Sequence, residues 1–225
     1  MKKSLLVTML ALCINSAFAA DTAVMKVQGK LTNSSCTPEL SNGGTVDYGT
    51  ISLASLSATD INQLGKRDFT LTITCVTPTK IAFSTTDDRN GTAPLVKVIN
   101  GRNYGGDVVD GDKLFGVNKT AGGVNIGNYS IYVNEDSMQI DGNRGFLIYS
   151  SDNGSSWGNL GVGEILYNRN RIATVAASTQ NVAPVAFSTA VIPMTTALAI
   201  QGTDTLAITD DTPIDGQATF TLIYL

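Results

Sequence analysis

The stretch Phe-Thr-Leu-Thr-Ile-Thr-Cys at residues 69–75 alternates strictly between apolar and hydroxyl side chains. Successive side chains of a β-strand point to opposite faces, so this pattern predicts a strand with one buried and one wet face. The same alternation occurs at residues 25–31 (Met-Lys-Val-Gln-Gly-Lys-Leu) and at residues 218–224 (Ala-Thr-Phe-Thr-Leu-Ile-Tyr). These three segments predict an all-β chain.

Further strands are predicted between these segments, at residues 79–85, 124–133, 146–149, 182–188 and 193–201. Asn-Gly and Asp-Gly pairs occur among them, and these residues accept the positive φ that tight turns need. Residues 52–64 are the best candidate for one short helical turn. Many short strands joined by such turns predict one domain with the architecture of a β-sandwich or barrel.

Two long loops interrupt the strand pattern, at residues 87–112 and 150–163. The first is rich in Gly and Asp, and the second in Gly and Ser. We expect both to be solvated connections. Binding loops are the alternative, because loops on a rigid sandwich often carry function.

The first 19 residues have the composition of a secretory signal peptide. Lys2 and Lys3 precede an uncharged, Leu-rich stretch, and Ala17-Phe18-Ala19 places small residues where a signal peptidase cuts. We predict cleavage after Ala19, with Ala20 as the second choice, and export through the inner membrane to the periplasm. No other apolar stretch approaches the roughly 18 residues of a membrane span, so none is predicted in the mature chain. An uncleaved N-terminal anchor is the alternative.

Cleavage would leave two cysteines, Cys36 and Cys75. An even number of cysteines in an exported protein predicts a disulfide. It would close a loop of about 40 residues and stabilise the fold by roughly 4 kcal/mol in the chain-entropy model. Two buried free thiols are the alternative. The chain has no C-x-x-C motif, which argues against redox catalysis.

The composition bears on which functions are available. The 225 residues include no His, which excludes His-dependent triads, His metal sites and His pH switches. The formal net charge is −4, so nucleic acid is not an expected partner. Acidic residues are scattered, and no nucleophile motif or nucleotide-binding loop occurs. We therefore expect a protein that is not an enzyme, with no metal site and no cofactor.

Three features in order resemble the pilins of the chaperone–usher family of bacterial fimbriae. The sequence ADTAVMKVQGKLTNSSC at residues 20–36 holds an alternating strand with Gly29 seven positions before Cys36. The two cysteines then lie about 40 residues apart. The sequence GQATFTLIYL at residues 216–225 is an alternating strand with Tyr224 in the penultimate position.

A second, narrower resemblance covers most of the mature chain. SCTPELSNGGTVDYGT at residues 35–50 and QLGKRDFTLTITC at residues 63–75 are similar to the GltF/YhcF-type family of fimbrial-like exported proteins. The same is true of KLFG and NIGNYSIYV, at residues 113–116 and 125–133.

The pilin resemblance implies an immunoglobulin-like sandwich, here residues 36–225, that lacks its last strand. A periplasmic chaperone would lend a strand first, and an outer-membrane usher would pass the subunit to the fimbrium at the cell surface. A neighbouring subunit's N-terminal segment would then fill the groove by strand addition. In this chain the donor would be residues 20–35. Its inward residues would be Met25, Val27, Gly29 and Leu31. Alternation alone does not distinguish a donor segment from the chain's own first strand.

The resemblance also implies that the C-terminal strand is the edge that the chaperone contacts, through Phe220, Leu222 and Tyr224. The predicted function is a structural fimbrial subunit that contributes to cell adhesion. The mature chain exceeds a minimal pilin in length, which favours a minor, adaptor or tip-proximal position.

The alternative function is a self-complete β-sandwich that binds a host glycan or surface receptor with its long loops. Aromatic rings in these regions could stack on sugars, and acidic side chains could bind hydroxyl groups. The candidates are Tyr104, Trp157, Tyr167, Asp107, Asp110 and Asp112.

Overall fold

The computed structural model describes residues 25, 35–159 and 165–225. The chain divides into two compact units, Met1–Thr32 and Asn33–Leu225, and all but one of the described residues lie in the second. That unit consists of two antiparallel sheets, which confirms the predicted all-β sandwich. Among the described residues there is no helix with the length and apolar character needed to span a bilayer.

The first sheet has seven strands in the described part of the chain. They are β1 Cys36–Leu40, β2 Asn62–Thr79, β4 Phe115–Gly116, β5 Gly127–Val133, β6 Gln139–Ile140, β7 Asn143–Arg144 and β11 Phe187–Ile200. Their order is β1-β2-β11-β5-β4, with β6 beside β11 and β7 beside β6.

The second sheet has five strands among the described residues. They are β3 Ile81–Asp87, β8 Phe146–Ser150, β9 Gly158–Asn159, β10 Ile172–Ala176 and β12 Ala218–Tyr224. Their order is β12-β3-β10-β8-β9. The helical segments are short: α1 Thr203–Leu206 and the 3-10 segments Ser41–Gly44, Leu53–Ser55, Gly111–Lys113 and Glu135–Ser137.

The alternation at residues 69–75 forms the centre of β2 as predicted. Phe69, Leu71, Ile73 and Cys75 are buried, whereas the intervening threonines are half-buried or exposed. The buried side chains belong to the main core between the two sheets. The strand begins earlier than predicted, at Asn62. The helical turn expected at residues 52–64 is correspondingly short and comprises Leu53–Ser55.

The long strand β11 joins two segments that were predicted separately. Pro193 lies within it, and proline cannot donate to a strand ladder. Its position accommodates this, because β11 pairs with β6 up to Val191 and with β5 from Met194 onward. The proline therefore lies where the strand changes partner.

The loop after β3 is not the solvated connection that was expected. Val98 and Val108 are bridged to each other and fully buried. They pack with Leu114 against Tyr132 and Ala197, in a second apolar cluster separate from the main core. This loop is therefore a packed part of the fold.

Candidate functional site: an open apolar groove

An open groove of about 660 Å³ lies between the end of β1 and the start of β12. On the β1 side its apolar lining includes Leu40 and Val46, and on the β12 side Ala218 and Phe220. The floor includes Phe69 of β2 together with side chains of β5 and β11. The apolar residues that pack against the main core at this point are only partly buried, so the core is open to the groove.

Both sides of the groove are sheet edges. In the described part of the chain β12 pairs only with β3, and β1 pairs only with β2. The outer N–H and C=O groups of an edge strand are a template for a further strand. The groove therefore combines apolar surface with an edge that can accept backbone hydrogen bonds.

The side chains of β12 connect this edge to the core. The Phe220 ring lies 6.4 Å from the Phe69 ring and 6.1 Å from the Phe83 ring, measured between centroids. Phe220 and Leu222 are half-buried, in agreement with their predicted inward orientation. Tyr224 is 44% exposed, and its hydroxyl accepts a hydrogen bond of 2.9 Å from the Cys36 backbone N–H. That bond links the beginning of β1 to the end of β12, beyond the residues that line the groove.

The predicted disulfide between Cys36 and Cys75 is present. The two residues are directly opposite each other in the β1–β2 ladder, with their Cα atoms 4.0 Å apart. The bond attaches the beginning of β1 to β2, so it fixes the strand that forms one side of the groove.

Two tyrosines contribute polar groups to the groove. The Tyr48 hydroxyl lies 2.8 Å from the Thr196 hydroxyl, and the Tyr129 ring stacks on Phe115. Burial raises the pKa of both phenols, so both are neutral at physiological pH. The groove can therefore offer hydroxyl groups without burying a charge.

The charged residues that line the groove are acidic. Asp47 lies on the β1 side, and Asp210 and Asp211 lie in the segment that leads into β12. All three are exposed. Among the described residues that line the groove there is no Lys or Arg.

The residues of the predicted donor segment fall mostly outside the described part of the chain. Met25 is described and is 85% exposed. Val27, Gly29 and Leu31 lie outside the described residues.

Five of the six candidates for a glycan site have protein partners, and the sixth, Trp157, is partly covered. The Tyr104 hydroxyl donates to Asp136 at 2.7 Å, the Tyr167 ring lies 3.7 Å from the Arg171 guanidinium, and Trp157 is half-buried. The three predicted aspartates form separate ion pairs: Asp107 with Lys97, Asp110 with Lys113 and Asp112 with Arg169. A hydrogen bond from Lys113 lowers the pKa of Asp110. No group of three acidic or cysteine side chains that could hold a metal ion occurs in the described part of the chain.

Much of the groove lining was not predicted from the sequence. Val46 and Ile51 follow β1 in a stretch without strand alternation, and Ile208 and Ile214 precede β12 in a similar stretch. Apolar side chains in otherwise polar, turn-rich sequence were the only signal. Their shared location depends on the pairing of β12 with β3.

Comparison with known proteins agrees with the narrower of the two resemblances. Residues 25–130 match a family model described as "Protein of unknown function (DUF1120)". The chain is 28% identical to "Uncharacterized protein YhcF" of Escherichia coli K12 over 225 residues, which covers 93% of each chain. It is also 33% identical to "Protein GltF" of the same organism over 138 residues, which covers 56% of this chain and 53% of GltF. The predicted similarity to GltF and YhcF is thus confirmed, and the GltF match spans about half of that protein.

Proposed function

We propose that this chain is an exported structural subunit of fimbrial type, and that a β-strand from another molecule completes its sandwich. The observation that carries the proposal is the open groove between two sheet edges that have no further strand paired to them among the described residues. A strand added there would pair with a free backbone edge and bury apolar side chains in the same step. Burial of one Met, Val or Leu side chain stabilises a complex by about 1.5–3 kcal/mol.

The pilin resemblance supplies the order of partners. A periplasmic chaperone would occupy the groove first and contact β12 at Phe220, Leu222 and Tyr224. An outer-membrane usher would then pass the subunit to the cell surface, where residues 20–35 of a neighbouring subunit replace the chaperone strand. In this scheme adhesion is a property of the assembled fimbrium.

The test distinguishes the ability of the chain to donate its N-terminal strand from the ability of its groove to accept a strand. Deletion of residues 20–30 removes the donor but leaves the groove. Substitution of Ala218→Arg places a large charged side chain in the groove but leaves the donor. Thr221→Arg, on the exposed face of the same strand, is the matched control.

We expect the chain without its signal peptide to form oligomers of increasing size, measured by size-exclusion chromatography with light scattering. The deletion and Ala218→Arg variants should each stay monomeric alone and form a one-to-one complex when mixed. Thr221→Arg should oligomerise like the unmodified chain. Circular dichroism checks that each variant is folded.

Two results would contradict the proposal. One is unchanged oligomer formation by the deletion variant, because the donor would then be unnecessary. The other is an unmodified chain that stays monomeric and leaves its groove open, which would favour a self-complete binding module.

A further inference from the structure

We propose that the segment that fills the open groove comes from a second copy of this chain, and that the acidic rim recognises its two lysines. The rim consists of Asp47, Asp210 and Asp211. This inference rests on the proposed function above and names the partner of the same groove. Charge complementarity between the rim and residues 20–32 carries it.

The rim presents negative charge from both sides of the groove. Asp47 follows β1, and Asp210 and Asp211 precede β12, so a strand lying between these elements would have carboxylates on either side. The carboxylate of Asp47 accepts only the Gly49 N–H among the described contacts, at 2.7 Å. Asp210 accepts a long hydrogen bond of 3.4 Å from its neighbour Thr209.

The nearby arginines do not neutralise this rim. The Arg67 guanidinium lies 4.9 Å from the centre of the Tyr48 ring, and its Nε donates to the Asp47 backbone carbonyl, not to the carboxylate. Arg89 forms an ion pair of 2.6 Å with Asp215. The rim carboxylates therefore remain available to a cation brought by a partner.

Residues 20–32 of this chain carry such cations in the required pattern. When Met25, Val27 and Leu31 face an apolar groove, the period of two in a strand turns Lys26 and Lys30 outward. Four residues of strand place the two lysines about 13 Å apart along the groove. Because the three rim aspartates are exposed and line the groove, outward lysines on the added strand would lie close to them.

The lysines would also help to set the register of the added strand. A slip of one residue would turn both lysines into the apolar groove and the apolar side chains toward water. Attraction of the two lysines to the rim carboxylates and their exclusion from the apolar floor thus favour the same register of the added strand. Long-range attraction of this kind raises association rates more than it changes the dissociation rate.

The test uses the chain without its signal peptide, with Val27→Asp and Leu31→Asp so that its own segment cannot compete. The probes are three labelled peptides of residues 20–32: the unmodified sequence, a Lys26→Gln/Lys30→Gln variant and a Val27→Asp/Leu31→Asp variant. Association is followed by fluorescence anisotropy in stopped flow. We expect the unmodified peptide to associate about 3- to 10-fold faster than the glutamine variant at low salt.

Three controls assign this difference in association rate to the rim. It should disappear at about 0.5 M salt, where screening acts over roughly 4–5 Å. It should also disappear in a chain with Asp47→Asn, Asp210→Asn and Asp211→Asn. It should persist when the same net charge is removed outside the groove lining, with Asp107→Asn, Asp112→Asn and Asp136→Asn.

The outcomes separate this inference from the proposed function. Equal rates for the unmodified and glutamine peptides, with no binding of the aspartate peptide, would overturn the role of the rim and leave strand addition intact. Absence of binding by every peptide would overturn both.

Discussion

At the scale of single residues, hydroxyl groups set the ionisation of the exposed carboxylate of Asp152. Ser150 Oγ and Ser156 Oγ donate to it at 2.6 and 2.5 Å, and these bonds lower its pKa to about 2. A carboxyl group whose pKa is lower in the folded than in the unfolded state stabilises the fold above its unfolded pKa of about 4. That contribution is lost as the pH falls from about 4 to about 2.

Substitution of Ser156→Ala should therefore raise the pKa of Asp152 toward its ordinary value, because the carboxylate loses one donor. The measurement is a carboxyl-carbon NMR titration between pH 1.5 and 6. Ser155→Ala is the control, since the Ser155 hydroxyl donates to the backbone carbonyl of Asp152 and not to its carboxylate. An unchanged titration midpoint in Ser156→Ala would contradict this account.

Turn residues show how far sequence predicts local backbone. Asn42, Asp141 and Asn153 adopt positive φ at predicted turns, as their tolerance of this region suggests. Leu95 and Tyr104 also have positive φ, at 58° each. Nothing in their side chains favours that conformation, so no sequence pattern could have indicated it.

At the scale of strands, alternation located the elements with one wet face most clearly, whereas one fully buried strand was missed. β2 and β12 were predicted because threonines separate their apolar residues. β10 was not, because all five of its residues are buried and the pattern of a half-buried strand is absent. The groove was harder still to predict from the sequence, because its two sides lie more than 150 positions apart and meet only in the folded chain.

The link between β1 and β12 makes a prediction at the same scale. Tyr224→Phe removes the hydroxyl that accepts the Cys36 N–H but keeps the ring. We expect the amide of Cys36 to exchange with solvent faster and the free energy of unfolding to fall by about 0.5–1 kcal/mol. Hydrogen exchange and urea unfolding measure the two effects.

Faster exchange should be confined to the beginning of β1. The Thr37 and Glu39 positions further along the strand face Thr74 and Thr72 of β2, so their ladder remains intact. Equal exchange rates for Cys36 in both proteins would show that the hydroxyl does not hold this edge.

At the scale of the whole molecule, the loop after β3 adds a second apolar cluster to the sandwich. Val108 is fully buried in it, whereas its neighbour Val109 is 59% exposed. The two valines are neighbours in sequence but differ in burial, so Val109 is a suitable control for a substitution at Val108.

Val108→Ala should lower the free energy of unfolding by about 2 kcal/mol, because two buried methyl groups are lost and a cavity remains. Val109→Ala should change it by less than about 0.5 kcal/mol. Urea unfolding of both variants is the measurement. Similar changes in the free energy of unfolding for the two variants would mean that the loop does not pack stably against the sheet.

The strand order also determines how early the chain can fold during its synthesis. Thr70 pairs with Pro193 and Phe83 with Leu222, so each sheet joins residues more than a hundred positions apart. Pairings of such long range are slow to form, because a large loop must close before any contact compensates for the lost entropy. During synthesis, the edge of β2 that pairs with β11 and the edges of β3 that pair with β10 and β12 therefore stay unpaired until the last third of the chain has been made.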